Sequence, residues 1–98
     1  MIAELPNAHK VCLPVYEVRR MIRGITARAK QPGSTPRRRQ NSLKAINWLR
    51  TAIQDRRGLD DVELLAPQTT WDRIAAAMHC VGLNELGWAI MRQTADGD

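Results

Sequence analysis

At 98 residues and 11.1 kDa the chain is long enough for one small core and too short for two. Hydrophobic residues make up 44% and charged residues 26%, as in ordinary folded proteins, which excludes a disordered or collagen-like chain. The net charge of +5 hides an asymmetry. Residues 1–57 hold thirteen Lys or Arg against three acids, a balance of +10, whereas residues 58–98 hold two Arg against seven acids, a balance of −5.

Twelve of the fifteen cations are Arg, whose planar fork suits bidentate contact with carboxylate or phosphate. Aromatics are scarce, with three Trp, one Tyr and no Phe, so the expected core is Leu, Ile, Val, Met and Ala. No apolar run approaches the roughly 18 to 20 residues of a membrane span, and the first ten residues lack a secretory pattern. The expected location is the cytoplasm, with both Cys12 and Cys80 reduced.

In chain order, residues 1–13 read as an N-terminal arm around Pro6 and short of Pro14. From Val15, apolar residues at Val15, Val18, Ile22 and Ile25, with Met21 and Ala29 alongside, have the spacing of an amphipathic helix. Arg19, Arg20, Arg23 and Lys30 gather on its other side at about 100° per residue. Residues 31–36, with two Pro and a Gly, form a loop.

Thr35 and Pro36 are an N-cap and first-turn pair for a second helix running to Arg57, with a stripe of Leu43, Ile46, Leu49 and Ile53. Its first turn, Arg37, Arg38 and Arg39, opposes the helix dipole and suits an anion. Gly58 and Leu59 supply a C-terminal cap. Asp60 with Glu63 has the spacing of a capping box, which predicts a short helix over 61–66 ended by Pro67.

Thr69 with Asp72 repeats the box. Trp71, Ile74, Ala75 and Met78 then form a buried stripe that stops near Gly82. Asn84 caps a last helix with Leu86, Ala89 and Ile90 inward and a staple of Leu83 with Trp88. Residues 94–98 are a frayed tail. The expected fold is all-α, a single-domain bundle of four to five helices over 1–98, without an internal repeat of 20 to 50 residues.

Chemistry-bearing patterns are few. His9, Cys12, His79 and Cys80 are the soft ligands available to zinc, but His79 and Cys80 are adjacent on a predicted helix and point about 100° apart. A core Cys80 and a partly exposed His79 explain them without a metal. There is no phosphate loop, nucleophile elbow or metalloprotease helix. The expectation is a non-enzymatic chain with no metal and no cofactor. A helix-turn-helix over 70–92 fails on spacing and on charge, since that half is acidic.

What remains is binding. The favoured reading is a small regulatory protein acting through protein contact, for example by modulating or antagonising a transcription factor. Its expected site joins the arm to the first helix: Val11, Leu13 and Tyr16 supply apolar contact and Arg19, Arg20 and Arg23 charge, against an acidic, partly apolar partner surface. Arg37, Arg38 and Arg39 are candidate anion ligands. Opposite charge on the two halves also predicts a homodimer. The alternative is a DNA-binding transcriptional regulator using the basic N-terminal helices, and no membrane contact is expected.

Overall fold

The computed structural model describes residues 8–95. It is not all-α. Four helices accompany a two-stranded antiparallel sheet: β1 (Ala8–Pro14), α1 (Val15–Ala29), α2 (Pro36–Ala52), β2 (Asp61–Pro67), α3 (Gln68–Cys80) and α4 (Asn84–Ala95).

The residues expected as an arm therefore divide. Residues 1–7 lie outside the described part, and Ala8 to Leu13 are ladder-paired strand. The helix expected over 61–66 is the other strand. In β2 the side chains of Val62, Leu64 and Ala66 are buried while Asp61, Glu63 and Leu65 are exposed, the period of two that a half-buried strand requires. The predicted capping box dissolves into two other contacts. The Asp60 carboxylate accepts from the Arg57 backbone N–H at 2.9 Å, closing a turn, and Glu63 meets Lys10 across the ladder at 3.8 Å.

The register pairs Ala8 with Pro67 and Pro14 with Asp61, so Val11 stands opposite Leu64 at the centre. The two strands lead into helices at equivalent points. Pro14 and Pro67 each hold extended backbone immediately before a helix, at φ −66°, ψ 154° and φ −62°, ψ 155°. Adding 53 to a position in the first half reaches its equivalent in the second, and this shift carries Val11 onto its own ladder partner, Leu64. That is the arithmetic of a two-fold axis through the Val11–Leu64 pair. Buried residues follow it: Val11, Leu13, Val18, Met21 and Ile25 correspond to Leu64, Ala66, Trp71, Ile74 and Met78, all buried. The chain is two strand-helix-helix units paired on one ribbon.

The core lies beneath the ribbon, where α1 and α3 pack on each other. A Cβ at Gly24 would come within 2.7 Å of Met78 Cε, so the Met78 side chain of α3 fills the space that a side chain at this position of α1 would need. Trp71 is fully buried and donates from its indole N–H to the His9 carbonyl at 2.9 Å, tying α3 to β1.

The halves differ at their second helices. α4 packs against β1, and the Gln93 amide both accepts from the Cys12 N–H at 2.7 Å and donates to the Cys12 carbonyl at 3.0 Å. α2 makes no approach of that extent to β2. It also ends at Ala52, not Arg57, and its expected stripe is incomplete: Ile46, Leu49 and Ile53 are buried but Leu43 is 60% exposed. Thr35 caps α2 as expected, accepting from the Arg38 N–H at 3.1 Å.

Further corrections are local. α3 begins at Gln68 without a side-chain cap, and Asp72 accepts from the Gln68 amide at 2.8 Å instead of serving a capping box with Thr69. Leu59 is 87% exposed and closes no cap. Cys80 is exposed rather than in the core. Trp88 leans edge-on against His79 at 5.0 Å between centroids. Thr94 is buried, so the expected tail holds helix to Ala95, and residues 96–98 lie outside the described part.

Candidate functional site

Where α2 packs less closely on α3 than α1 does, a groove of about 650 Å³ opens between α2, α3 and the C-terminal end of α1. Its apolar floor is Ile25, Ala45, Trp48, Ile74 and Ala77. Trp48 is half-buried and packs on Trp71 at 5.8 Å between ring centroids.

Five cations from three helices line the groove: Arg28 of α1, Arg37, Arg38 and Lys44 of α2, and Arg73 of α3. No acid is among the lining residues. Among the described residues none of the five makes an ion pair, and Arg28 donates to the Gln31 side chain at 2.8 Å. Thr35, Asn41, Ser42 and Thr70 add hydroxyl and amide groups. Unpaired cations beside a low-dielectric floor concentrate positive potential in a cleft. The arrangement holds a carboxylate or phosphate at its rim and apolar atoms at its base.

A second, shallower groove of about 250 Å³ lies on the other flank of α1 and α2, where Arg19, Arg23 and Arg50 surround Ile22 and Ile53.

The structure separates the residues expected to form one clasp. Val11 is fully buried and Leu13 is 4% exposed, so both belong to the core under the ribbon and offer no surface to a partner. Period-two burial on a strand, not an arm, accounts for them. Tyr16 is half exposed, Arg19 and Arg23 border the smaller groove, and Arg20 is engaged with Glu17 at 2.7 Å. Of the anion candidates, Arg37 and Arg38 line the larger groove and Arg39 is exposed beside it.

Arg28, Lys44, Trp48 and Arg73 escape the sequence reading. Their one signal is that Trp48 sits off the stripe of Ile46, Leu49 and Ile53, since neighbouring helical positions are about 100° apart. That Arg73 of the acidic half faces Arg37 and Arg38 follows only from how the units pair.

Among the described residues no group of three or more His, Cys, Asp or Glu is placed to hold a metal ion, and no helix is long and apolar enough to cross a membrane. No family model, curated protein or solved structure matches the chain.

Proposed function

We propose that this protein is a small, non-catalytic regulator that acts by binding, and that its groove takes an acidic, partly apolar segment of a protein partner. The observation that supports this is the composition of the groove: five cations, no acid and an apolar floor containing Trp48. Charge there speeds encounter and selects the partner, while the apolar floor supplies most of the affinity. A cleft between helices matches the mode in which an amphipathic segment lays its apolar side into a groove. Modulating a transcription factor through an acidic segment is one regulatory use of such a surface. The basic face of α1, with Tyr16, Arg19 and Arg23, extends the positive surface on the other flank.

The DNA-binding alternative uses the basic N-terminal helices, and the ribbon is a second element it would have at hand. A two-stranded ribbon is one of the elements that enter the major groove, which is about 12 Å wide. On this ribbon the outward charged side chains are Lys10 against Asp61 and Glu63, a net negative face. Of the cations on the basic helices, Arg28, Arg37, Arg38 and Lys44 line a concave groove, whereas reading a duplex needs an element that projects. Protein is therefore the favoured partner.

The test titrates the whole chain with a synthetic amphipathic peptide of Glu and Leu and, separately, with a 20-base-pair duplex. Fluorescence is followed in a Trp88→Phe background so that Trp48 dominates the response. The peptide is expected to bind at micromolar concentration, shift the Trp48 emission, and lose at least tenfold in affinity when Arg38→Glu and Lys44→Glu are combined. Tighter binding of the duplex in physiological salt, with a steep salt slope, reverses the ranking of partners.

A further inference from the structure

The groove asks for acids beside apolar side chains, and the chain carries that combination on its own surface. Along β2 the outward side chains are Asp61, Glu63 and Leu65, preceded by the exposed Leu59 and Asp60. Leu59 and Leu65 are 87% and 62% exposed, and both are in the acidic half. One cation faces them from the same ribbon, Lys10, which reaches Glu63 at 3.8 Å with both side chains more than half exposed. So open a contact is worth little and yields readily.

We propose that the outward face of β2 on one copy of this chain docks in the groove of a second copy, with Asp61 and Glu63 toward its cations and Leu65 toward its apolar floor. The inference rests on the reading of the groove as a site for an acidic, partly apolar segment and names one such segment.

Lengths agree. Asp61 to Leu65 spans about 13 Å as strand. The groove runs along α2 from Arg37 to Trp48, about 16 Å of helix, and along α3 from Thr70 to Cys80, about 15 Å. Charge complementarity is complete in sign: two exposed acids and Asp60 beside them, against five cations without an acid. The two surfaces belong to different parts of the chain, so each copy has one of each. Two copies then either exchange both contacts about a two-fold axis or add head to tail. In both forms self-association covers the groove, and an external acidic segment must displace the second copy to bind.

Two variants test this by sedimentation velocity at about 0.1 mM protein, in about 50 mM and about 1 M salt. The groove variant combines Arg38→Glu with Lys44→Glu, and the ribbon variant combines Asp61→Lys with Glu63→Lys. All four positions are exposed, and circular dichroism checks that each variant folds. Wild type is expected to associate at low salt and to dissociate at high salt. Each variant alone is expected to stay monomeric. Their equimolar mixture, which restores one intact ribbon face opposite one intact groove, is expected to give a one-to-one dimer.

A wild type that is monomeric at low salt overturns the inference, as does a mixture that stays monomeric or a variant that associates like wild type. The acidic peptide separates this from the parent reading. Peptide binding without self-association removes the second copy as occupant and leaves the groove reading standing, whereas loss of both removes the groove reading itself.

Discussion

The unit from Ala8 to Ala52 and the unit from Asp61 to Ala95 set strand and first helix at matching positions on a shared ribbon, yet only the second helix of the latter closes onto a strand. α4 lies against β1 and seals the backbone of Cys12 with the Gln93 amide. α2 leaves β2, meets α3 less extensively than α1 does, is capped by Thr35, and carries three Arg in its first turn where the dipole disfavours them. A symmetric pairing needs no groove for its core; the groove exists where symmetry fails, and the cations accumulate there. Charge follows the same division, since Lys10 and Arg19 have Glu63 and Asp72 as their counterparts 53 residues on.

The largest effect is expected in the closed part. Trp71 is fully buried and its indole N–H bonds His9, so Trp71→Ala should lose about 3 to 5 kcal/mol of unfolding free energy through the cavity and the orphaned carbonyl. Trp48 is half-buried at the edge of the groove, and Trp48→Ala should lose less than half as much. Urea unfolding of both variants measures the difference. Equal losses would mean that α2 is as integral to the core as α3, and the contrast between the units would fall.

Next come Ile74→Ala and Met78→Ala, each expected to lose about 2 to 4 kcal/mol by leaving a cavity where α3 meets the core. Thermal melts of either variant that stay within a degree of wild type would remove α3 from the centre of the fold.

Much of this was legible in the residues and some was not, for identifiable reasons. The stripes of α1 and α3 have helical spacing long enough to be read: of the residues they name, Val15, Val18, Ile25, Trp71, Ile74, Ala75 and Met78 are buried and Ile22 is partly buried. The strands are seven residues each, too short to outweigh competing signals. In β2 the adjacent Leu64 and Leu65 blur the alternation, and Asp60 with Glu63 imitates a cap. In β1 the pair Val11 and Leu13 alternates for only two cycles. Neither strand buries its face alone; each becomes a strand by pairing across about fifty residues, which no local pattern records.

The two-unit architecture was hidden for a related reason. At a shift of 53 the shared feature is burial rather than identity: across Ala8 to Ala27 only Pro14 with Pro67 and Arg20 with Arg73 keep the same residue. The cations of the groove were partly visible, as Arg37 and Arg38. Arg28, Lys44 and Arg73 join them only through tertiary packing.

Smaller effects sharpen the contrast between the helix crossings. A Cβ at Gly87 would meet the His79 ring, with Nε2 at 2.7 Å, and that ring is held by Asn84 at 3.2 Å and by Trp88. Gly87→Ala should therefore lose about 1 to 3 kcal/mol by overpacking. A Cβ at Gly24 meets the flexible end of Met78 at 2.7 Å and Leu83 Cδ1 at 3.0 Å, and a helical Gly replaced by Ala regains up to about 1 kcal/mol of propensity. Gly24→Ala should stay within about 1 kcal/mol of wild type. If the order of the two losses is inverted, α1 and α3 are the more rigid pair and α3 and α4 the more yielding one.

The smallest change in stability is expected from the residue with a large assigned role in binding. Arg38 is exposed in the first turn of α2, where a positive charge opposes the helix dipole by a few tenths of a kcal/mol. The bond that caps the helix uses its backbone N–H and survives substitution. Arg38→Ala should thus leave unfolding free energy within about 0.5 kcal/mol of wild type, with any shift toward greater stability. The same substitution should weaken binding of the Glu and Leu peptide severalfold, since it removes one of five cations without disturbing the floor. A groove kept for structure would show the opposite pattern, lost stability and unchanged binding. Denaturation and titration of this one variant therefore decide whether the open side of the first unit is a site or a packing defect.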